Sequence, residues 1–235
     1  MLRKNWCLLL MVGVLLSISS VSAAAGAPAE NPLLHPEKAK LVAPAVFKVE
    51  FETSRGEFTM EIHRDWAPQG ADRFYNLVTL GFYDEAMFFR VVRTPRPFMA
   101  QVGFNSDPKV SAAWRQATIP DDTAIKSNSR AMVSFAKTNA PNSRTTQFFI
   151  NYADNKYLDA YGFAPFAKVI SGMDVVDSLY SGYGEGAPQG HGPSQSRIAG
   201  EGNSYLKKDF PKLDRVIRMK IVEDTEKVSK KGPSK

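Results

Sequence analysis

The chain has 235 residues, 43% of them hydrophobic, enough to bury one sizeable core and too few for several domains. Its formal charge is +6, of which Arg3 and Lys4 supply two, and much of the remainder sits in the tail Lys227 to Lys235. A short basic tail of this kind is a solvated end rather than a nucleic-acid arm, and no nucleic-acid partner is expected. The single cysteine, Cys7, excludes a disulfide framework, and its position in the leader excludes cysteine chemistry in the mature chain.

Arg3 and Lys4 precede the apolar run Trp6 to Ile18, and small residues follow through Ala23, Ala24 and Ala25. The pattern predicts a secretory signal peptide over residues 1–23, cleaved after Ala23. The run falls short of the ~20 apolar residues that span a bilayer, so no stable membrane anchor is expected after cleavage. A periplasmic or secreted location follows. Residues 24–44 carry Pro28, Pro32, Pro36 and Pro44 without apolar periodicity, which predicts an extended linker.

A folded domain is expected over residues 45–223. Val46 to Thr53 alternates apolar and polar residues, and Glu57 to His63 returns after the turn Ser54-Arg55-Gly56, so the two predict a hairpin. Pro68 opens a helix whose stripe is Phe74, Leu77, Val78 and Leu80, stopped by Gly81. Strands are predicted at 87–92, 98–103, 131–135, 147–151 and 163–170, a second short helix at 173–180, and a last strand at 213–222. Residues 181–205 hold seven glycines with Pro188 and Pro193. They follow a helix instead of joining a strand to one, so they predict a long surface loop and not a phosphate cradle. Residues 224–235 are expected to form a basic disordered tail. His35, His63 and His191 have no ligand spacing among them, and neither a metal nor another cofactor is expected.

Two segments carry the chemistry. Phe88-Phe89-Arg90-Val91-Val92 leads into Phe98-Met99-Ala100-Gln101-Val102-Gly103, and Phe135-Ala136-Lys137-Thr138 leads into Gln147-Phe148-Phe149-Ile150. One arginine and one glutamine among aromatic and thioether side chains suit a shallow apolar pocket with a few oriented donors. In this order and separation the pair resembles the signature of the cyclophilin family of peptidyl-prolyl cis-trans isomerases. The resemblance covers about residues 45–180 and the closing strand. It implies a mainly β fold: a closed eight-stranded antiparallel barrel capped by two α-helices.

The resemblance also implies an activity. Turning an X–Pro bond twists an amide whose resonance sets a barrier of ~18–20 kcal/mol. Millisecond turnover requires about 7 kcal/mol of that to be removed. No nucleophile is needed, only a held prolyl ring and a donor that is better placed in the twisted state. Arg90 and Gln101 are the implied catalytic pair: the guanidinium reaches the carbonyl and the freed nitrogen lone pair, and the amide bonds the substrate backbone. Phe98, Met99, Phe149 and Leu158 are the implied proline pocket, with Tyr157 beside it and Ala136 and Thr138 lining the adjoining groove. Phe98 and Met99 are neighbours and face opposite sides of a regular strand, so both reach one pocket only where the chain bends. Periodicity alone leaves open whether this apolar set is pocket or ordinary barrel core.

The expected partners are proline-containing polypeptides, met by a monomeric protein. A catalytically weak peptide-binding or chaperone module using the same groove is the alternative. Departures from the family pattern are visible. Phe89 stands where histidine is usual, Tyr157 where tryptophan is frequent, and residues 109–116 replace a glycine-rich loop.

Overall fold

The computed structural model describes residues 30–222. The expected signal peptide, the first part of the linker and the basic tail lie outside them.

Strands β1 (Val46–Thr53) and β2 (Gly56–His63) pair antiparallel from Val46 opposite His63 to Thr53 opposite Gly56. Alternation points Phe47, Val49, Phe51, Phe58, Met60 and Ile62 into the core. Helix α1 (Pro68–Thr79) buries Ala71, Phe74, Leu77 and Val78. Its N-cap position is Ala67, which has no side-chain acceptor. The carboxylate of Asp122, far along the chain, takes that role by accepting from Gln69 N at 3.0 Å and Gly70 N at 2.9 Å. Asp122 is in turn paired at 2.9 Å with the buried guanidinium of Arg144.

The remaining strands are β3 (Arg90–Val92), β4 (Met99–Val102), β5 (Met132–Phe135), β6 (Phe148–Asn151), β7 (Pro165–Ser171) and β8 (Val216–Val222). All eight form one antiparallel sheet in the order β3-β4-β6-β5-β7-β2-β1-β8. Its two end strands share no ladder. Just ahead of them, a single bridge joins Met87 to Arg215, flanked by Phe88 N to Asp214 O at 2.9 Å and Val216 N to Ala86 O at 2.8 Å. The sheet therefore curls until its edges meet at one point, short of a continuous closed ladder. Its interior is filled with aromatic rings: Phe51 stacks on Phe58 at 4.3 Å, and Phe148 meets Phe74 edge-on at 5.4 Å. The concave side of the curled sheet is thus occupied by the protein's own side chains.

The structure has more helix than the two caps expected. Besides α1 and α3 (Met173–Asp177), there are α2 (Pro108–Trp114), α4 (Gln195–Glu201) and α5 (Asn203–Asp209). Each of these three spans seven residues, too short for a 3.6-residue pattern to stand out. The glycine-rich stretch is thus a partly helical insert. Ile198, Tyr205 and Leu206 from it pack on Met87 and Phe89, forming a second apolar cluster apart from the main core.

The segment read as linker is also more attached than expected. From residue 31 it makes short 3-10 turns at Pro32–Leu34 and Pro36–Lys38. It is pinned by Trp114 Nε1 to Leu33 O at 2.8 Å, by Leu41 N to Asn76 Oδ1 at 2.9 Å and by Ala43 N to Asp72 Oδ1 at 2.9 Å.

Candidate active site

Register builds the site. Arg90 lies opposite Gln101 across β3 and β4, and Gln101 lies opposite Phe149 across β4 and β6. Residues directly opposite share a face, so these three side chains line up across three neighbouring strands. Their alternates Val91, Ala100, Val102, Phe148 and Ile150 belong to the main core. Met99, Phe149 and Leu158 form a separate buried cluster, joined by Phe98, Ala136 and Phe163. The apolar set is therefore a cluster of its own, apart from the main core.

Phe98 and Met99 do reach the same place, because β4 starts only at Met99. Phe98 lies just outside the strand, where its carbonyl accepts from Tyr152 N at 2.9 Å and Asn155 Nδ2 at 2.9 Å. A cavity of about 420 Å³ is lined by Arg90, Gln101, Phe98, Met99, Phe149 and Leu158, together with Ala136 and Thr138. Tyr157 stands apart from the lining. It is 57% exposed and stacks on Phe98 at 6.4 Å, extending the apolar wall outward.

A chain of polar side chains crosses the wall. Arg90 Nη1 donates to Gln101 Oε1 at 2.9 Å, and Gln101 Nε2 donates to Gln147 Oε1 at 2.8 Å. Gln101 is 4% exposed, so it turns both ends of its amide to protein partners. The guanidinium also sits 5.6 Å from the centroid of Phe98, over its ring. Gly103 lets β4 pass close to Gln147. At φ +132°, a Cβ there would fall 2.4 Å from Gln147 Cα, so no larger residue fits.

Sequence reasoning missed several contributors. Arg115 after α2 and Gln195 at the start of α4 both line the cavity and continue into a neighbouring hollow of about 270 Å³. Residues 109–116 therefore still flank the groove, as a helix in place of a glycine-rich loop. Glu185 was missed as well. Its carboxylate accepts from Arg90 Nε at 2.6 Å and from Arg90 Nη2 at 2.7 Å. Burial pushes the Glu185 carboxyl up, but the hydrogen bonds and charge of Arg90, with Gly186 N–H, outweigh that and hold it below the usual carboxylate range. No local spacing links Glu185 to Arg90, so only the fold could reveal the pair. Among the described residues no three His, Cys, Asp or Glu side chains gather as a metal-holding group, and no helix is long and apolar enough to cross a membrane.

The curled antiparallel sheet thus carries an arginine, an amide and an apolar hollow side by side on one face. Residues 48–198 match the family described as cyclophilin type peptidyl-prolyl cis-trans isomerase/CLD, and the chain belongs to that family. It is 38% identical over 136 residues to a peptidyl-prolyl cis-trans isomerase of Acinetobacter baylyi, covering 56% of this chain and 70% of that one. It is 30% identical over 184 residues to peptidyl-prolyl cis-trans isomerase B of Escherichia coli, covering 75% of this chain and 99% of that one. Its fold is similar to that of a cyclophilin-type isomerase of Cryptosporidium parvum, with a TM-score of 0.56, 19% identity, and coverage of 76% and 99% of the two chains. The chain is a peptidyl-prolyl cis-trans isomerase.

Proposed function

We propose that this isomerase works on exported polypeptides and that Arg90 drives the reaction. The prolyl ring enters the hollow of Met99, Phe149 and Leu158, and Gln101 aligns the backbone beside it. Arg90 donates to the carbonyl and, as the amide twists, to the nitrogen whose lone pair is no longer conjugated. That second contact exists only in the twisted state, so it lowers the barrier without tightening ground-state binding.

The observation that carries this reading is the juxtaposition of a charged guanidinium with an apolar cluster on one wall of one cavity. A related fold from Cryptosporidium parvum was solved in the presence of the dipeptide Ala-Pro, which supports proline-containing polypeptides as the substrate class here. Export rests on Arg3, Lys4, the apolar run and the small residues after it. In its producing cell, the protein is expected outside the cytoplasm with a mature N-terminus at Ala24, which fractionation and intact-mass measurement would check.

The direct test is isomerisation of a short X–Pro peptide by the wild type beside Arg90→Ala. Turnover is expected to fall about 100-fold, the scale of one preorganised donor, ~3 kcal/mol. Equal turnover in the two proteins would remove Arg90 from the mechanism. One observation favours the alternative of a weakly catalytic peptide binder: Arg90 is already engaged by Glu185. In that case Arg90→Ala keeps its peptide affinity, and both proteins turn over slowly.

A further inference from the structure

Glu185 reaches Arg90 from 95 residues further along the chain, out of the glycine-rich insert. Its position is built and not incidental. Gly184 makes a β-bridge to Val91, the residue after Arg90, which sets Glu185 beside the guanidinium. Gly184 takes the left-handed turn this requires at φ +61°, with open space where a side chain would stand. The carboxylate is steadied by Gly186 N at 2.9 Å. Phe89 and Met87, just before Arg90 in the chain, pack in one apolar cluster with Ile198 of α4 and Tyr205 and Leu206 of α5. The phenylalanine that replaces the family's usual histidine and the insert are therefore two halves of one feature.

A guanidinium has five N–H groups. Glu185 takes one on Nε and one on Nη2, and Gln101 takes one on Nη1. One N–H on each terminal nitrogen remains. Arg90 lines the cavity, whereas Glu185 is not among its lining residues, so the carboxylate holds the arginine without filling the space a prolyl group needs. Two fork-like contacts and an amide fix the plane of an otherwise flexible side chain.

We propose that Glu185 is a positioning residue for Arg90, holding the guanidinium so that its two remaining N–H groups face the prolyl amide. This rests on the reading of Arg90 as the catalytic group. The test compares wild type, Glu185→Gln, Glu185→Ala and Arg90→Ala in isomerisation of a short X–Pro peptide. Thermal unfolding of each variant identifies any loss of fold, and the Gln variant keeps the shape if the Ala variant fails.

The expected result is a fall in kcat of about 10- to 100-fold for Glu185→Ala, the scale of a misplaced catalytic group. Glu185→Gln is expected to fall less, with KM near wild type in both. A second readout is independent of turnover. The Arg90 Nε–H, followed by 15N NMR, should exchange slowly with water in the wild type and quickly in both variants.

Unchanged or faster turnover in both Glu185 variants, with Arg90→Ala inactive, overturns the proposal while leaving Arg90 catalytic; faster turnover would mean that the carboxylate restrains the arginine. A wild type without turnover overturns the reading of Arg90 instead. The Nε–H signal then still decides whether Glu185 fixes the side chain, and fast exchange in the wild type overturns that too.

Discussion

Single residues in this site act through what they touch, and Gly103 shows how tightly that is set. Its φ of +132° and the 2.4 Å between a built Cβ and Gln147 Cα leave no room for alanine. Thr146 Oγ1 donates to Gly103 O at 2.8 Å, so the two segments cannot simply separate. Gly103→Ala is expected to cost about 1–3 kcal/mol in backbone strain alone, read as a lower urea midpoint with an unchanged slope. Because Gln147 is the acceptor that steadies Gln101, the same variant should also lose turnover. The motif residues Arg90, Gln101, Phe98, Met99 and Phe149 carried the family resemblance, and the fold brings them to one cavity. Glu185 was not legible in the sequence, since nothing in a glycine-rich stretch distinguishes a glutamate that reaches an arginine from one that faces water.

Elements explain the departures from the family pattern. Phe89 follows Phe88 on the approach to β3, and it is 1% exposed. Its ring meets Phe104 edge-on at 5.2 Å and is covered by Ile198, Tyr205 and Leu206. Truncating a buried phenylalanine costs ~3–5 kcal/mol, so Phe89→Ala is expected to lower stability on that scale and to expose 185–192 to limited proteolysis. Its effect on turnover is expected to follow from a loosened Glu185, since Phe89 itself does not line the cavity. The hairpin of β1 and β2 and helix α1 were legible because long, regular alternation and a Pro-led apolar stripe repeat over many residues. Helices α2, α4 and α5 were not, because seven residues hold at most two turns.

Over the whole molecule, charge sets the response to pH. Burial pushes the carboxyls of Asp72 and Asp159 up, as it does that of Glu185. In Asp72, hydrogen bonds from Arg64 and Ala43 N–H outweigh it; in Asp159, those from Ser127 and Asn128 do. All three therefore sit below their usual range in the folded state. The folded protein binds fewer protons than the unfolded chain across the acid range, so these groups contribute stability above the ordinary carboxylate pKa of about 4. That stability is lost as pH falls through the depressed folded values. Asp84 works the other way, its carboxyl raised by burial first, and offsets part of the effect. The urea midpoint is expected to be flat from neutral pH to about 5 and to fall below 4; a midpoint that rises on acidification would contradict this.

Local periodicity by itself determined the strands with one wet face and the main helix, while the order of the two motif segments carried the resemblance to the family. Strand and helix depend on neighbours within a few residues, and side-chain periodicity records them directly. Tertiary structure alone decided which face of β3 and β4 is core and which is pocket, through the register of Arg90 with Gln101 and of Gln101 with Phe149. It alone docked residues 31–44, folded the glycine-rich insert, and brought Glu185 to Arg90. Such contacts join residues far apart in the chain. They are selected by packing and charge satisfaction in the assembled fold, and leave no periodic trace in the order of amino acids.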